Sequence, residues 1–100
     1  MLESSFMVIG VCRLRLHLPG CASLKEKRGR LRPLLARLRR EFEAAVAEVD
    51  LQDVWQSAEV ALVVVANEAG AVERRLEHVA AWVERNWPDL EVEDRRIELR

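Results

Sequence analysis

Apolar and polar residues alternate with a period of two from Phe6 to Leu18, which predicts a first β-strand. One set of alternate positions is apolar, whereas the other set includes Arg13, Arg15 and His17. The start of the strand, residues 7–9, is apolar at every position, as is typical of a central strand. We therefore expect this strand to lie inside a sheet with one face on the core.

A helix with a clear start follows the turn at Pro19-Gly20. Ser23 and Glu26 have the spacing of a capping box, in which each side chain satisfies a free backbone N–H group. Beyond it, apolar residues recur on one stripe of a helix that is expected to end near Ala44, namely Leu24, Leu31, Leu34, Leu35, Leu38 and Phe42. The pattern predicts an amphipathic helix packed on the sheet.

The rest of the chain predicts two strands, a second helix and a last strand. Residues 46–49 and 59–66 are typical of strands, the second of them Val-rich and central. A helix over 70–86 has Val72, Leu76, Val79, Val83 and Trp87 on its apolar face, and residues 90–99 predict an edge strand. The order predicts an α+β fold, a ferredoxin-like βαββαβ sandwich whose four-stranded antiparallel sheet has two helices on one face.

Length and composition agree with a single domain over residues 1–100, with an ordered core at about 6–99. Half of the residues are hydrophobic and 33% are charged, which is too apolar for intrinsic disorder. Residues 1–5 carry an acid rather than the basic leader of a signal peptide, and no apolar run approaches the roughly 20 residues of a membrane span. We expect a cytoplasmic protein with no membrane partner.

Charge is unevenly distributed along the chain, although the formal net charge is only −1. Residues 13–40 contain ten of the sixteen basic residues and one acid, whereas residues 41–73 contain eight acids and no base. Such asymmetry bears on the choice of partner. The first helix is the candidate binding element, through Lys25, Lys27, Arg28, Arg32 and Arg39. A solvated helix face, or a surface for an acidic protein, remains an alternative.

Several short motifs resemble the YlxP-like family of small bacterial proteins. They are His17-Leu18-Pro19-Gly20, Ser23-Leu24-Lys25-Glu26-Lys27-Arg28, Ala47-Glu48-Val49, Gln52-Asp53-Val54-Trp55-Gln56 and Ala58-Glu59. The resemblance covers about residues 7–99 and implies a ferredoxin-like fold of uncharacterised function. Family members tend to be encoded among translation and ribosome-maturation genes, which implies structured RNA or a ribosomal particle as the partner. The family supplies no known catalytic or binding residues.

An uncovered sheet face is the second candidate surface. Met7, Ile9 and Val11 are expected on it, and exposed apolar patches usually mark interfaces. The alternative function is therefore a protein-interaction module that forms a homodimer through this face, with Trp55 as a further contact. Equally, the charged residues of the same face could be solvated or paired with acids, and Trp55 could fold back over the sheet edge.

Catalytic and metal sites are not predicted. His17 and Cys21 are close in sequence, but with His78 they supply too few ligands for a structural zinc site, which needs four. Cys12 is expected to be buried and Cys21 exposed but inert. The four glycines do not form a phosphate loop. We expect no enzyme activity, no cofactor, no metal and no small-molecule substrate.

Overall fold

The computed structural model describes residues 7–100, and the predicted strand start at Phe6 lies outside them. Its elements are β1 (Val8–His17), α1 (Leu24–Phe42), β2 (Ala45–Asp50), β3 (Ser57–Ala66), α2 (Ala69–Glu77), α3 (Val79–Asn86) and β4 (Glu91–Leu99). No helix within these residues combines the length and apolar character needed to cross a bilayer.

The four strands form one sheet in the order β2-β3-β1-β4, and every neighbouring pair is antiparallel. The two central strands, β1 and β3, are those predicted to be central, and β4 is at an edge as predicted. The helices pack on one face of the sheet and leave the other face open. The predicted ferredoxin-like sandwich is confirmed.

The alternation in β1 separates the two faces. Cys12, Leu14 and Leu16 are fully buried beneath the helices, whereas Arg13 and Arg15 lie on the open face. Gly10 lies on the helix face where α2 crosses β1. A Cβ atom at this position would overlap the Val72 Cγ1 atom and lie 2.8 Å from Leu76 Cδ1. The missing side chain therefore allows the close approach of α2 to the sheet.

The predicted start of α1 is confirmed at its N-cap. The Ser23 Oγ atom accepts a hydrogen bond of 3.0 Å from the Glu26 N–H group. The Glu26 carboxylate accepts from the Ala22 N–H group at 3.4 Å, one residue before the position expected in a capping box. The helix ends two residues earlier than expected, because Glu43 adopts a left-handed conformation with φ of 48°.

The second helical segment differs from the prediction in two ways. It is divided at His78 into α2 and α3 rather than forming one helix. Trp82, which is not on the predicted apolar face, is buried, whereas Trp87, which is on that face, is only partly buried. Trp82 packs between Phe42 and Trp87, with ring centroids 5.8 and 5.9 Å away, and thereby joins the end of α1 to α3.

Candidate nucleic-acid interface

The exposed face of α1 carries a row of basic side chains that we call the basic stripe: Lys25, Arg28, Arg32 and Arg39. The stripe lies beside the apolar side of the helix, where Leu31, Leu34 and Leu38 are buried. All four basic residues are exposed, at spacings of three, four and seven residues that keep them on one side of the helix. At 1.5 Å per residue the stripe is about 21 Å long.

The basic stripe forms no ion pair with the carboxylates of the described residues. Among residues 7–100, no acidic group lies within 4.0 Å of any of its four cationic groups. Arg39 uses one nitrogen within the fold, since its Nη2 atom donates to the Val46 carbonyl at 2.9 Å. The stripe therefore combines a local positive charge with donors that remain available to a ligand.

Two further arginines of α1, Arg30 and Arg37, form a second row whose side chains contact other parts of the fold. Arg30 donates to the carbonyls of Pro19 and Asp89 at 3.0 and 3.1 Å, and it lies 3.7 Å from Glu26. Arg37 lies 3.9 Å from Glu41, and its guanidinium is 5.4 Å from the ring centroid of Trp82. Both side chains contact neighbouring elements. Arg30 does so through hydrogen bonds, whereas Arg37 makes a cation–π contact with Trp82 and its side chain remains 41% exposed.

Lys27 was predicted to bind phosphate, and that prediction is wrong. Its side chain is buried, with 1% of the residue exposed. The Nζ atom donates to the Leu51 carbonyl at 2.6 Å and lies 2.8 Å from Glu48 Oε2. The Glu48 contact is an ion pair only, since that oxygen has no hydrogen bond of suitable geometry. A phosphate cannot reach an ammonium group that the protein encloses.

The sequence does contain a signal for the burial of Lys27. Lys27 precedes Leu31, Leu34 and Leu38 by four, seven and eleven residues, which places it on the apolar side of the helix. Its partner Glu48 lies in β2 and its partner Leu51 in the loop that follows, so the identity of both partners depends on the tertiary fold.

The loop between β2 and β3 is fixed at both ends. Lys27 binds the Leu51 carbonyl at its start, and the Gln56 Nε2 atom donates to the Cys21 carbonyl at 3.4 Å at its end. Between these points Trp55 is 51% exposed. This exposure is more than we expect of a side chain folded back over the sheet edge. A role for Trp55 at an interface stays a prediction.

The open sheet face has an apolar end. Ile9 lies opposite Val65, and Val11 lies opposite Val63 in the register of β1 and β3. Met7 and Val65 are 67% and 57% exposed, whereas Ile9 and Val11 are half-buried. Self-association through these residues stays a prediction.

The other end of the open face is charged but internally paired. The Glu59 carboxylate accepts hydrogen bonds from Arg13 Nε and Arg15 Nη2, both at 3.0 Å. The hydrogen bond from Arg15, followed by the contacts with Arg13, holds the pKa of Glu59 below its usual value against the opposing effect of burial. These two arginines therefore add little positive charge to that of the basic stripe.

Both cysteines are buried. Burial raises the pKa of the Cys12 thiol to about 11, so this side chain behaves as a small apolar group. Cys21 was expected to be exposed, but it is completely buried, and its Sγ atom donates to the Ser23 carbonyl at 3.5 Å. The turn at Pro19-Gly20 directs it beneath the start of α1, which its sequence neighbours did not indicate.

Residues 7–100 contain no cavity that could hold a small molecule. Nor do they bring together three or more His, Cys, Asp or Glu side chains in an arrangement suited to a metal ion. His17 instead lies 2.9 Å from the Gln56 carbonyl through Nδ1 and 3.7 Å from Glu91 through Nε2.

The chain is similar to a family of proteins of unknown function, to an uncharacterised bacterial relative and to a solved structure. A family described as "Protein of unknown function (DUF503)" matches residues 9–97. The "Uncharacterized protein YlxP" of Bacillus subtilis strain 168 is 29% identical over 84 residues, which cover 84% of this chain and 90% of the relative. The solved structure "De novo designed protein Foldit4" matches 92% of this chain and 96% of its own, with a TM-score of 0.51 and 17% identity, which shows the fold alone.

Proposed function

We propose that this chain, which belongs to the DUF503 family of proteins of unknown function, is a non-catalytic accessory protein that binds structured RNA through its basic stripe. The carrying observation is the contrast within one helix. Lys25, Arg28, Arg32 and Arg39 are exposed and have no carboxylate of residues 7–100 within 4.0 Å, whereas Lys27, Arg30 and Arg37 each have one. The implied link of the YlxP-like family with translation genes favours a ribosomal particle as the source of that RNA.

The proposed mechanism is electrostatic. Each phosphate that a basic side chain neutralises releases condensed counterions, so binding weakens steeply as salt rises. Four contacts to a duplex correspond to a slope of log K against log salt of about −3.6. Contacts to the backbone position the protein without reading base sequence, so any selectivity would come from the shape of the RNA.

The surroundings of the stripe favour a duplex over a single strand. Gly29 and Ala36 lie beside its basic residues on the helix, and both are exposed and small, so a phosphate backbone could approach the helix closely. No aromatic side chain lies among them. Binding of single strands usually gains about 1–3 kcal/mol per base from stacking on such side chains, which this surface does not offer.

The proposal is tested with a fluorescently labelled RNA hairpin whose stem is a full duplex, by anisotropy at a series of salt concentrations. The double variant Arg28→Gln/Arg32→Gln should lose affinity and reduce the salt slope by about 2, since two phosphate contacts are removed. The matched control is Arg74→Gln/Arg85→Gln, which removes the same charge from exposed positions on α2 and α3.

Two results would overturn the proposal. One is unchanged binding by the stripe variant. The other is an equal loss in the control variant, which would show that only net charge matters.

A further inference from the structure

The outer edge of β4 is the surface from which a further inference follows. β4 is nine residues long and lies at the edge of the sheet, and no strand within residues 7–100 pairs with its outer side. Apart from Val92 and Ile97, every residue of the strand is exposed. Such an edge offers free backbone donors and acceptors to another strand.

The hydrogen bonds to β1 determine which backbone groups point outward. The Arg100 N–H group donates to the Ile9 carbonyl at 2.7 Å, and the Ile9 N–H group donates to the Arg100 carbonyl at 2.8 Å. In an antiparallel pair such bonded positions alternate, so Glu98, Arg96 and Asp94 also face β1. The N–H and C=O groups of Arg95, Ile97 and Leu99 therefore point away from the sheet. Consistent with this, the Arg95 N–H group donates to Asp94 Oδ1 at 2.9 Å rather than to β1.

The charges on the open face of β4 alternate in sign. They are Asp94, Arg96, Glu98 and Arg100, in that order. This sequence of charges is antisymmetric about Ile97, because each acid lies as far from Ile97 on one side as an arginine does on the other. A strand of this kind is complementary in charge to an antiparallel copy of itself.

We propose that two copies of this chain associate through β4, antiparallel and centred on Ile97, to form one continuous eight-stranded sheet. Ile97 would pair with the partner's Ile97, and Arg95 with the partner's Leu99, through the backbone groups that now point outward. The Arg95 N–H group would exchange its bond to Asp94 for one to the partner's Leu99. Arg96 would then lie opposite the partner's Glu98, and Asp94 opposite the partner's Arg100. A two-fold axis repeats each contact, which gives six backbone hydrogen bonds and four ion pairs.

The proposed register suits both kinds of position in an antiparallel ladder. The outward-pointing residues fall at hydrogen-bonded pairs, and the charged residues fall at the intervening pairs, where Cα atoms are about 4.5 Å apart and side chains approach closely. In the single chain Arg96 lies 3.3 Å from Asp94 and Arg100 lies 3.1 Å from Glu98, both as exposed pairs along the strand. Association would keep these charges together and add a second neighbour of opposite sign to each.

The other sheet edge lacks this complementarity. β2 has only six residues, and its charged residues are the two acids Glu48 and Asp50. The Val46 carbonyl is bound by Arg39. A second copy of β2 would therefore bring acids together with no base on either strand to face them, which selects β4 as the edge for self-association.

The test uses two charge reversals, Arg96→Glu and Glu98→Arg, in sedimentation velocity experiments over a range of concentrations. Each variant alone would place like charges opposite each other twice in the dimer, and we expect the dimer dissociation constant to rise at least about tenfold. An equimolar mixture of the two variants should form a heterodimer of nearly wild-type affinity, because every facing pair is again of opposite charge. The control, Arg85→Glu, makes the same charge change outside β4 and should remain dimeric.

A second measurement locates the contact in the wild-type protein. Amide hydrogen exchange at Ile97 and Leu99 should slow as the protein concentration rises, because their outward N–H groups become bonded. A wild-type protein that remains monomeric at its highest soluble concentration would overturn the proposal. So would a dimer that survives both charge reversals, or one that is abolished by Val65→Asp alone, which would place the contact on the open sheet face.

Discussion

Replacing Lys27 by Met tests whether this cation is a structural element rather than a ligand for phosphate. Met keeps most of the length and apolar volume of the side chain but removes the ammonium group. The Leu51 carbonyl would lose its donor at 2.6 Å, and Glu48 would lose the cation at 2.8 Å. The variant would therefore leave a carboxylate unpaired at the junction of α1 and β2.

The expected loss follows from the burial of the two partners. Removing one partner of a buried ion pair typically costs about 3–5 kcal/mol. The Lys27 side chain is only 2% exposed, but that of Glu48 is 22% exposed, so water can solvate part of the orphaned carboxylate. We therefore expect the lower end, about 3 kcal/mol of the free energy of unfolding. For a domain of this size, the melting temperature should fall by about 12 °C or more.

The assay is urea denaturation followed by circular dichroism, with Lys25→Met as the matched control. Lys25 is exposed and makes no ion pair within residues 7–100, so its replacement should change stability by less than about 0.5 kcal/mol. The double variant Lys27→Met/Glu48→Leu should recover much of the loss, because no unpaired charge remains. If Lys27→Met were as stable as Lys25→Met, the enclosed position of Lys27 would be refuted.

Two further predictions concern β1 and its neighbours. Gly10→Ala should destabilise the fold by about 1–3 kcal/mol, because the added Cβ overlaps Val72. Gly29→Ala, at an exposed position of α1, should instead stabilise it by about 1 kcal/mol. Thermal unfolding of both variants checks this, and equal effects would contradict the close packing of α2. Glu59→Gln should cost up to about 1 kcal/mol at neutral pH, since both arginines are more than one third exposed. Because the pKa of Glu59 is lowered in the folded state, the stability that its carboxylate contributes should be present above the unfolded pKa and disappear as pH falls through the folded pKa. Urea titrations of the wild type and Glu59→Gln between pH 7 and 3 measure this contribution. A stability difference between the two proteins that persists unchanged in acid would contradict the pairing.

The fold was predictable because local signals and tertiary structure agree in this chain. The alternation in β1 separates core from open face, and the cap at Ser23 marks the helix start. The Val-rich β3 is central because both of its faces tolerate apolar residues. The division at His78 and the burial of Trp82 were missed. Trp82 is buried by Phe42 from another helix, and such a contact leaves no mark on the local pattern.

The candidate site was predictable only in part, for a related reason. Helical spacing alone identifies Lys25, Arg28, Arg32 and Arg39 as one row. Which cations remain free depends on the partners that the fold brings to each, such as Glu48 to Lys27 and Glu59 to Arg13 and Arg15. Residues of opposite charge far apart in sequence form these pairs. The distances follow from the packing of α1 on β2 and from the register of β1 and β3 rather than from any motif.

The most direct measurement of the central claim is a nuclear magnetic resonance titration of the RNA hairpin into protein labelled with ¹⁵N at its arginines. Contact through the basic stripe predicts that the Nε–H signals of Arg28 and Arg32 shift first and furthest, with Arg39 following. The signals of Arg13 and Arg15 should stay in place, because Glu59 holds both side chains. Shifts concentrated at Arg13 and Arg15, or spread evenly over all arginines, would contradict binding through α1.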